Sequence, residues 1–444
     1  MKKKKDRKIN LSNTETKAKR EKKMPVDKHG RVMKRRAFPR KPVYIIAILL
    51  MAIAAIVFLG MMIIANLLPS DLTIIVSVIV VVLLMLTCFM LSSRYRWKRI
   101  VGIVIGLIFV LVLASVTGFM KSTYATMNQI SAAGISAEGP HAKSVDVTGE
   151  AFNIYITGID QWEEEKGYDL ERSDVNMIVT VNPVTKKVLL TSIPRDSYVK
   201  LHTAQAMDKL THTGVYGVDE TLNTVEDWLG VDLNYYVKMN FTAVRDIINA
   251  MGGIRVYSPV EFDSSLRPYH YKKGWNDLGG RQALFFARER HAFEGQDAIR
   301  VENQQRVMKA IIKKMTSSTT LLTSYDDVMA AAGKNLSTNM SSGDMTELVK
   351  MQITDLAEWD IQSQKITGEY GEDYVASLSQ KNKYSVYYTD TASVKKCVDA
   401  IQALQNPSVR EKEEALKSTS KSFVINYLNM VANKIKEGKE DTDN

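Results

Sequence analysis

The first quarter of this 444-residue chain alternates between charged stretches and long apolar runs. Val43–Leu68 holds 26 residues without a charge, Leu72–Leu91 holds 20, and Ile100–Met120 holds 21. About 20 apolar residues, each rising about 1.5 Å, cross a hydrocarbon layer of about 30 Å. The pattern therefore predicts three membrane-spanning helices in series. A cleaved leader is a poor fit, because its apolar region would be only about 7–15 residues long.

The pattern changes beyond them. Residues 121–150 are polar and rich in Ser, Ala and Gly, and read as a linker. From Phe152 the chain alternates apolar and polar positions and delivers Asp160 at a strand end. Val175–Val181 and Val188–Ile193 are β-rich runs joined by the turn-forming Asn182–Lys187, which predicts a hairpin. Further strands are expected over Tyr235–Phe241, Ile254–Val260, Asp360–Ile366 and Tyr384–Thr389. Helices are expected over Glu220–Leu229, Thr242–Met251 with Thr242 as its cap, Gly280–Arg290, Asp297–Met315 and Thr391–Leu404. Strands alternating with helices over 151–405 predict a layered α/β domain. Residues 406–444 form a charged tail.

Charge separates these regions. The net charge of +10 is the sum of +14 over residues 1–42, +3 over 43–99 and −7 over the rest. A basic globular domain is thereby excluded. The basic tail and the Arg94–Arg99 loop between the second and third apolar runs both belong on the cytoplasmic side. The third helix then places everything after about residue 121 outside the cell. The tail reads as a topology determinant in contact with lipid rather than a nucleic-acid reader. The two cysteines, Cys88 and Cys397, are too far apart in character to suggest a disulfide framework.

The chain lacks a GxSxG elbow, a P-loop, a GxGxxG fingerprint, an HExxH pair and an EF-hand loop. Arginines and aspartates instead stand at the ends of predicted elements: Arg172 and Asp174 before one strand, Arg195 and Asp196 after another, Arg288 and Arg290 after a helix. Asp297, Arg300 and Gln304 share one helix face. Guanidinium forks match phosphate oxygens, and carboxylates at strand ends suit Mg²⁺ beside a phosphate. Singly, such residues are more often ordinary ion pairs. From spacing alone, the reading stops at an anion-binding exported α/β domain.

Taken in order, NIYITGID (153–160), RSDVNMIVTVNPVTKKVLLTSIPRD (172–196), KLTH (209–212), GVDLNYYVKMNF (230–241), GGIRV (252–256), FARERHAF (286–293) and GQDAIRVENQQ (295–305) resemble the LytR-CpsA-Psr family. The three preceding apolar helices look like its CpsA-type branch. The resemblance implies an α/β/α sandwich with an apolar pocket for a prenyl tail. It also implies a Mg²⁺-dependent enzyme that moves a glycopolymer from a polyprenyl-pyrophosphate carrier to peptidoglycan, with the C6 hydroxyl of N-acetylmuramic acid as acceptor. The polymer class covers capsular polysaccharide, wall teichoic acid and other anionic glycans. By the same resemblance Asp160 and Asp174 would hold Mg²⁺. Arg172, Arg195, Arg288, Arg290 and Arg300 would contact pyrophosphate, with Lys209 and Gln304 in the same polar shell and Asp196 as an orienting acid. Val237, Phe241, Val244 and Ile248 read as core rather than as pocket lining. Asn176 departs from the family pattern without touching the implied ligands. A pyrophosphate hydrolase using the same site, and a membrane-bound regulator of envelope genes, are the competing expectations. The basic tail carries no DNA-reading element to support the second.

Overall fold

The structure, a computed structural model, describes residues 41–134, 145–159, 173–292, 296–317 and 324–411. Most of the basic tail and everything beyond residue 411 lie outside the described residues. The chain opens with α1 (Lys41–Ala65), α2 (Ser70–Ser92) and α3 (Arg96–Gly134). All three are long and apolar enough to cross a membrane. Met51, Phe58, Met62, Phe109 and Leu113 close on one another inside the bundle, while Ile56 and Phe89 point outward. A helix that is apolar on every side suits lipid surroundings.

The segment expected as a linker from 121 instead continues α3 through Gly134. Its composition is linker-like, yet no Pro or Gly interrupts Lys121–Ala133, and a packing partner is present. Met120 and Tyr124 join Met329 and Met345 of the following domain in one apolar cluster. At 39 residues, α3 is about 58 Å long, nearly twice the hydrocarbon thickness.

The rest of the chain builds on strands β1 (Phe152–Ile159), β2 (Ser173–Asn182) and β3 (Lys187–Ile193), then the short β4 (Tyr198–Lys200) and β5 (Met207–Lys209), α4 (Leu210–Thr213) and α5 (Val218–Leu229). Next come β6 (Tyr235–Asn240), α6 (Phe241–Ala250), β7 (Ile254–Ser258), β8 (Phe262–Asp263), β9 (His270–Tyr271), β10 (Gly274–Leu278), α7 (Gly280–Arg288) and α8 (Gln296–Met315). The domain finishes with α9 (Tyr325–Asn335), β11 (Leu336–Thr338), α10 (Ser342–Asp355), β12 (Asp360–Lys365), β13 (Gly368–Asp373), β14 (Tyr384–Thr389) and α11 (Thr391–Gln405).

Six strands form one mixed sheet in the order β11-β6-β1-β2-β3-β12. The expected hairpin is β2 and β3, and its turn is fastened by Asn182 Oδ1, which accepts from Val184 N and Thr185 N. Period-two alternation splits the strands between two layers. Tyr155, Ile178 and Leu189 pack against α5 and α11. Ile156, Met177, Val179 and Leu190 face Met308 and Ile312 of α8. The result is the α/β/α sandwich. A third cluster, around Ile248, Tyr271 and Phe286, knits β7, α6, α7, α8 and α9 together.

Element ends follow local chemistry. Asn240, not Thr242, caps α6: its side chain accepts from Ala243 N at 2.9 Å, and it also reaches Asn335 of α9. Gly230 ends α5 with φ of 65°, a left-handed conformation that glycine adopts without strain. Gly280 has a different constraint, since a Cβ there would overlap the Arg245 carbonyl of α6.

The two ends of the sheet differ in their neighbours. Val147, Phe152, Tyr235 and Met340 cluster with Met345 where β1 and β6 begin, the end at which α3 docks. The opposite end, where β1, β3 and β6 finish, lies about 25 Å away by strand rise. There the Glu289 carboxylate, fully buried, accepts from Ser264 Oγ, Ser265 N and Oγ, and the backbone N–H of Arg290, His291 and Ala292. Burial alone would raise its pKa, but these donors hold it below the ordinary glutamate value.

Two outcomes follow from this packing. Gly280→Ala should cost about 3 kcal/mol, read as a lowered thermal midpoint in detergent, while Gly343→Ala, with room for a methyl, should stay near wild type. The depressed Glu289 pKa makes its contribution present above the ordinary glutamate range and lost as pH falls through the folded value. Glu289→Gln should lower neutral-pH stability by about 3 kcal/mol and flatten that acid limb in pH-dependent unfolding curves.

Candidate active site

The register of three strands assembles the site. Ile159 pairs with Ser173 across β1 and β2, Asn176 pairs with Ile193 across β2 and β3, and Ile159 also pairs with Asn240 of β6. The finish of β1, the start of β2, the finish of β3 and the start of α6 therefore share one edge. Asp160 and Arg172, the residues flanking this β1–β2 junction, lie outside the described residues, as does the side chain of Asp297.

A buried polar chain holds the start of β2. Ser173 Oγ meets Thr157 Oγ1 at 2.6 Å and donates to Asn176 Oδ1. Tyr155 OH donates to the same Asn176 oxygen at 2.6 Å, and Asn176 Nδ2 returns a bond to the Ser173 carbonyl at 3.1 Å. All four side chains are buried. Asn176 thus fixes the backbone beside Asp174. Nothing in its sequence neighbourhood advertises this, because Tyr155 and Thr157 come from another strand.

On that support, an ion-pair chain crosses the edge. Arg195 Nη1 donates to Asp174 Oδ1 at 2.5 Å, Arg195 Nε lies 3.5 Å from Asp196 Oδ2, and Asp196 Oδ1 lies 3.3 Å from Lys209 Nζ. Each is only partly exposed, Arg195 by 31% and Asp174 by 23%, so these charges act through less water than surface pairs do. The loop carrying them is locked by backbone bonds: the Arg195 carbonyl accepts from Thr211 N, and the Asp196 carbonyl accepts from Tyr387 N.

Beneath Lys209, the KLTH segment makes a second knot. Asp208 Oδ1 meets His212 Nδ1 at 2.7 Å, and Asp208 Oδ2 accepts from Ser377 N at 2.7 Å. Burial would raise the Asp208 pKa, but the bonds from His212, Ser377 and Lys209 N keep it below the ordinary aspartate range. Ser377 Oγ also approaches His212 Nδ1, at 2.8 Å. Serine and aspartate meet the same ring nitrogen, so the trio does not form a proton relay, which needs one partner on each nitrogen. Its role is to pin the loop at 375–378 under the site.

The remaining arginines arrive from the helical layer. Arg288, at the last turn of α7, lays its guanidinium 4.3 Å from the Phe241 ring centroid, directly after the β6 edge position Asn240. Phe241 is therefore a platform for that arginine, whereas Ile248 is core and Val244 packs against it. Val237 packs on the sheet face with Met308 and Ile312 of α8. The Glu289 turn separates Arg288 from Arg290, whose Nε donates to His291 Nε2 at 3.1 Å. Arg300 stands in the first turns of α8, half-buried. On the same helix Gln304 is half-buried, while the neighbouring Gln305, which sequence spacing did not single out, donates to Ser192 Oγ at 2.9 Å and to the Gln364 carbonyl at 2.6 Å. Lys365 to Glu302, at 2.9 Å, adds a second tie between α8 and β12. Asn303 is buried, and its Nδ2 has no hydrogen-bond partner among the described residues. A run of four polar residues, Glu302–Gln305, in a helix otherwise packed into the domain was the available signal.

No group of three or more His, Cys, Asp or Glu gathers in metal-binding range among the described residues. The arrangement offers an anion several cationic donors at a strand-end edge, with a carboxylate already oriented among them. That is equipment for positioning and charge stabilisation rather than for a side-chain nucleophile.

Comparison with known proteins identifies the family. The family model described as the LytR_cpsA_psr family matches residues 116–403, well over half of the chain. A Bacillus cereus protein named polyisoprenyl-teichoic acid–peptidoglycan teichoic acid transferase TagU is 38% identical over 202 residues, which cover 45% of this chain and 64% of that relative. The chain thus spans somewhat less than two thirds of the length of that relative. An Enterococcus faecalis protein of the same name is 30% identical over 255 residues, covering 57% of this chain and 83% of its own. A solved structure of TagT bound to LIIa-WTA aligns over 59% of this chain and 94% of its own, at 27% identity and a TM-score of 0.48. By the extent of the family match and the order of its motifs, the chain belongs to the LytR-CpsA-Psr family.

Proposed function

We propose that this protein is a membrane-anchored transferase that moves an anionic glycopolymer from a polyprenyl-pyrophosphate carrier to a peptidoglycan hydroxyl, with its folded domain outside the cell. The observation that carries the reading is the junction of Asp174 with Arg195 at the strand-end edge, where Asp196, Lys209 and the platform-held Arg288 also arrive. The names borne by the TagU relatives point to the same class of reaction.

In this reading, the acceptor hydroxyl oxygen forms a bond to the sugar-side phosphorus of the carrier, and the bond from that phosphorus to the bridging oxygen breaks. Polyprenyl phosphate leaves, a phosphodiester remains, and the hydroxyl proton passes to solvent or to a carboxylate of the site. Arg195 and Arg288 would hold non-bridging oxygens while charge shifts toward the leaving phosphate. Asp174 keeps the Arg195 fork in place. The donor chemistry fits Mg²⁺: Asp174 is a hard, partly exposed carboxylate oxygen donor, and Asp160 follows Ile159, the register partner of Ser173. Two such carboxylates with substrate oxygens make an ordinary Mg²⁺ site. The ion, when bound, would neutralise pyrophosphate charge.

The prenyl tail would lie along the sheet face under α8. Val237, Met239, Met308, Ile312 and Ile361 are only half-buried along the sheet face. This apolar seam runs from the site edge toward the end where α3 docks.

The test uses full-length protein in detergent, a short polyprenyl-pyrophosphoryl oligosaccharide, peptidoglycan fragments and Mg²⁺. Polyprenyl phosphate release and sugar joined to the acceptor should both appear. Arg195→Ala and Asp174→Ala should each lower the rate by about 10²–10³, and chelation should abolish it. Release accompanied by free sugar phosphate would show a hydrolase. Turnover unaffected by both substitutions would show that the edge is not the active site.

A further inference from the structure

A second cavity, distinct from the strand-end edge, opens where α8 ends. It has a volume of about 420 Å³, and its lining includes Arg255, Tyr257, Trp275, Arg306, Lys309 and Lys313. Arg306, Lys309 and Lys313 recur at helical spacing along one stripe of α8, well beyond Arg300. Lys313 makes no ion pair among the described residues. Lys309 is half-buried, and burial draws its ammonium below the ordinary lysine value, with Asp360 opposing that shift. The carboxylates nearby are few and partly spoken for: Glu302 pairs with Arg306 at 3.1 Å, Asp277 lies 3.7 Å from Arg255, and Glu358 sits on the rim.

The aromatic residues are unusually bare. Trp275 is 60% exposed and Tyr257 46%, in edge contact with each other at 5.4 Å, and Arg255 lies 5.5 Å from the Trp275 ring. Exposed tryptophan and tyrosine interleaved with lysine and arginine are the composition of a bilayer interface, where rings sit at headgroup level and cations meet lipid phosphate.

The placement agrees. The cavity includes Ala357–Trp359, immediately before β12 begins, and β12 runs parallel to β3, which starts where β2 ends. It therefore lies at the end of the sheet where β1, β3 and β6 begin, the end of the Met345 cluster that α3 joins, on the β12 edge opposite β11.

We infer that this cavity binds the phosphate headgroup of an anionic membrane phospholipid and seats the base of the domain on the bilayer. Lys309 and Lys313 take the phosphate oxygens, and Trp275 and Tyr257 lie at the headgroup level. The inference rests on which end of the fold carries α3, and it holds or fails independently of the transfer chemistry.

Hydrogen exchange on the full chain in nanodiscs tests it. Discs of phosphatidylcholine alone are compared with discs containing phosphatidylglycerol, for peptides covering 254–258 and 306–317. Slower exchange at both segments is expected only with phosphatidylglycerol. Lys309→Glu/Lys313→Glu should lower that protection by at least about fivefold, while peptides of β1 to β3 stay unchanged as a check on folding. Should the double variant fail to fold, Lys313→Gln, at an exposed position, serves in its place. Equal exchange in both lipids, or protection retained in the variants, overturns the inference. So does equal protection by soluble glycerol phosphate added to phosphatidylcholine discs, which would show a site for phosphate in solution rather than for lipid.

Discussion

The antiparallel register of β2, between β1 on one side and β3 on the other, is the constraint on which the rest of this molecule depends. A slip of one residue would turn every β2 side chain to the other layer. Ile178 would leave the α5 and α11 side, Met177 and Val179 would leave the α8 side, and both cores would open. The same slip would part Asp174 from Arg195, because their meeting depends on Asn176 lying opposite Ile193. Core packing and site assembly are consequences of one pairing. The buried Ser173, Asn176, Thr157 and Tyr155 bonds reinforce it at the end where it matters for chemistry. A polar network inside a sheet edge is costly to leave half-made, so it favours a single arrangement of the strands.

The second organising feature is the length of α3. A span that ended at the bilayer surface would leave the domain on a flexible tether, free to sample many heights. A helix that runs on beside β11 and buries Met120 and Tyr124 against Met329 and Met345 ties the domain to the helical bundle. The site edge then stands roughly one strand length from the end where α3 docks. In the proposed reading, a lipid-borne substrate would bridge that distance along the half-buried apolar residues under α8. α8 covers the middle of that sheet face through Met308 and Ile312, and α10 meets it near Ile154 and Val181.

Turns carry as much of the site as strands do. Glu289 uses both carboxylate oxygens to gather a serine pair and three successive backbone N–H groups, which fixes the turn between Arg288 and Arg290. Arg288 then rests on Phe241, a ring at the first position of α6. The arginine is held by a flat apolar partner, which leaves its donors directed away from the ring plane contact.

Hydrophobic run length and charge distribution determined, from the sequence by themselves, that three helices suit a membrane and that a mildly acidic α/β domain follows. Periodicity gave the main strands and helices, because each buries a face whose spacing is written locally. Motif order named the family. Where partners come from afar, the sequence was silent. Gly368–Asp373 carries two glycines and three acids and is a strand only because β14 lies beside it. Lys121–Gly134 reads as linker and is helix because a domain surface is there to meet it. Asn240 displaced Thr242 as the cap since it also bonds Asn335, and Gln305 rather than Gln304 reaches the sheet because α8 is rotated by its packing. Asp174 and Arg195 were each visible as residues of interest, but their contact, the platform under Arg288 and the knot at Asp208 are decided by the tertiary structure. Such contacts join side chains far apart in the chain, and only the closed sheet brings them within hydrogen-bond range.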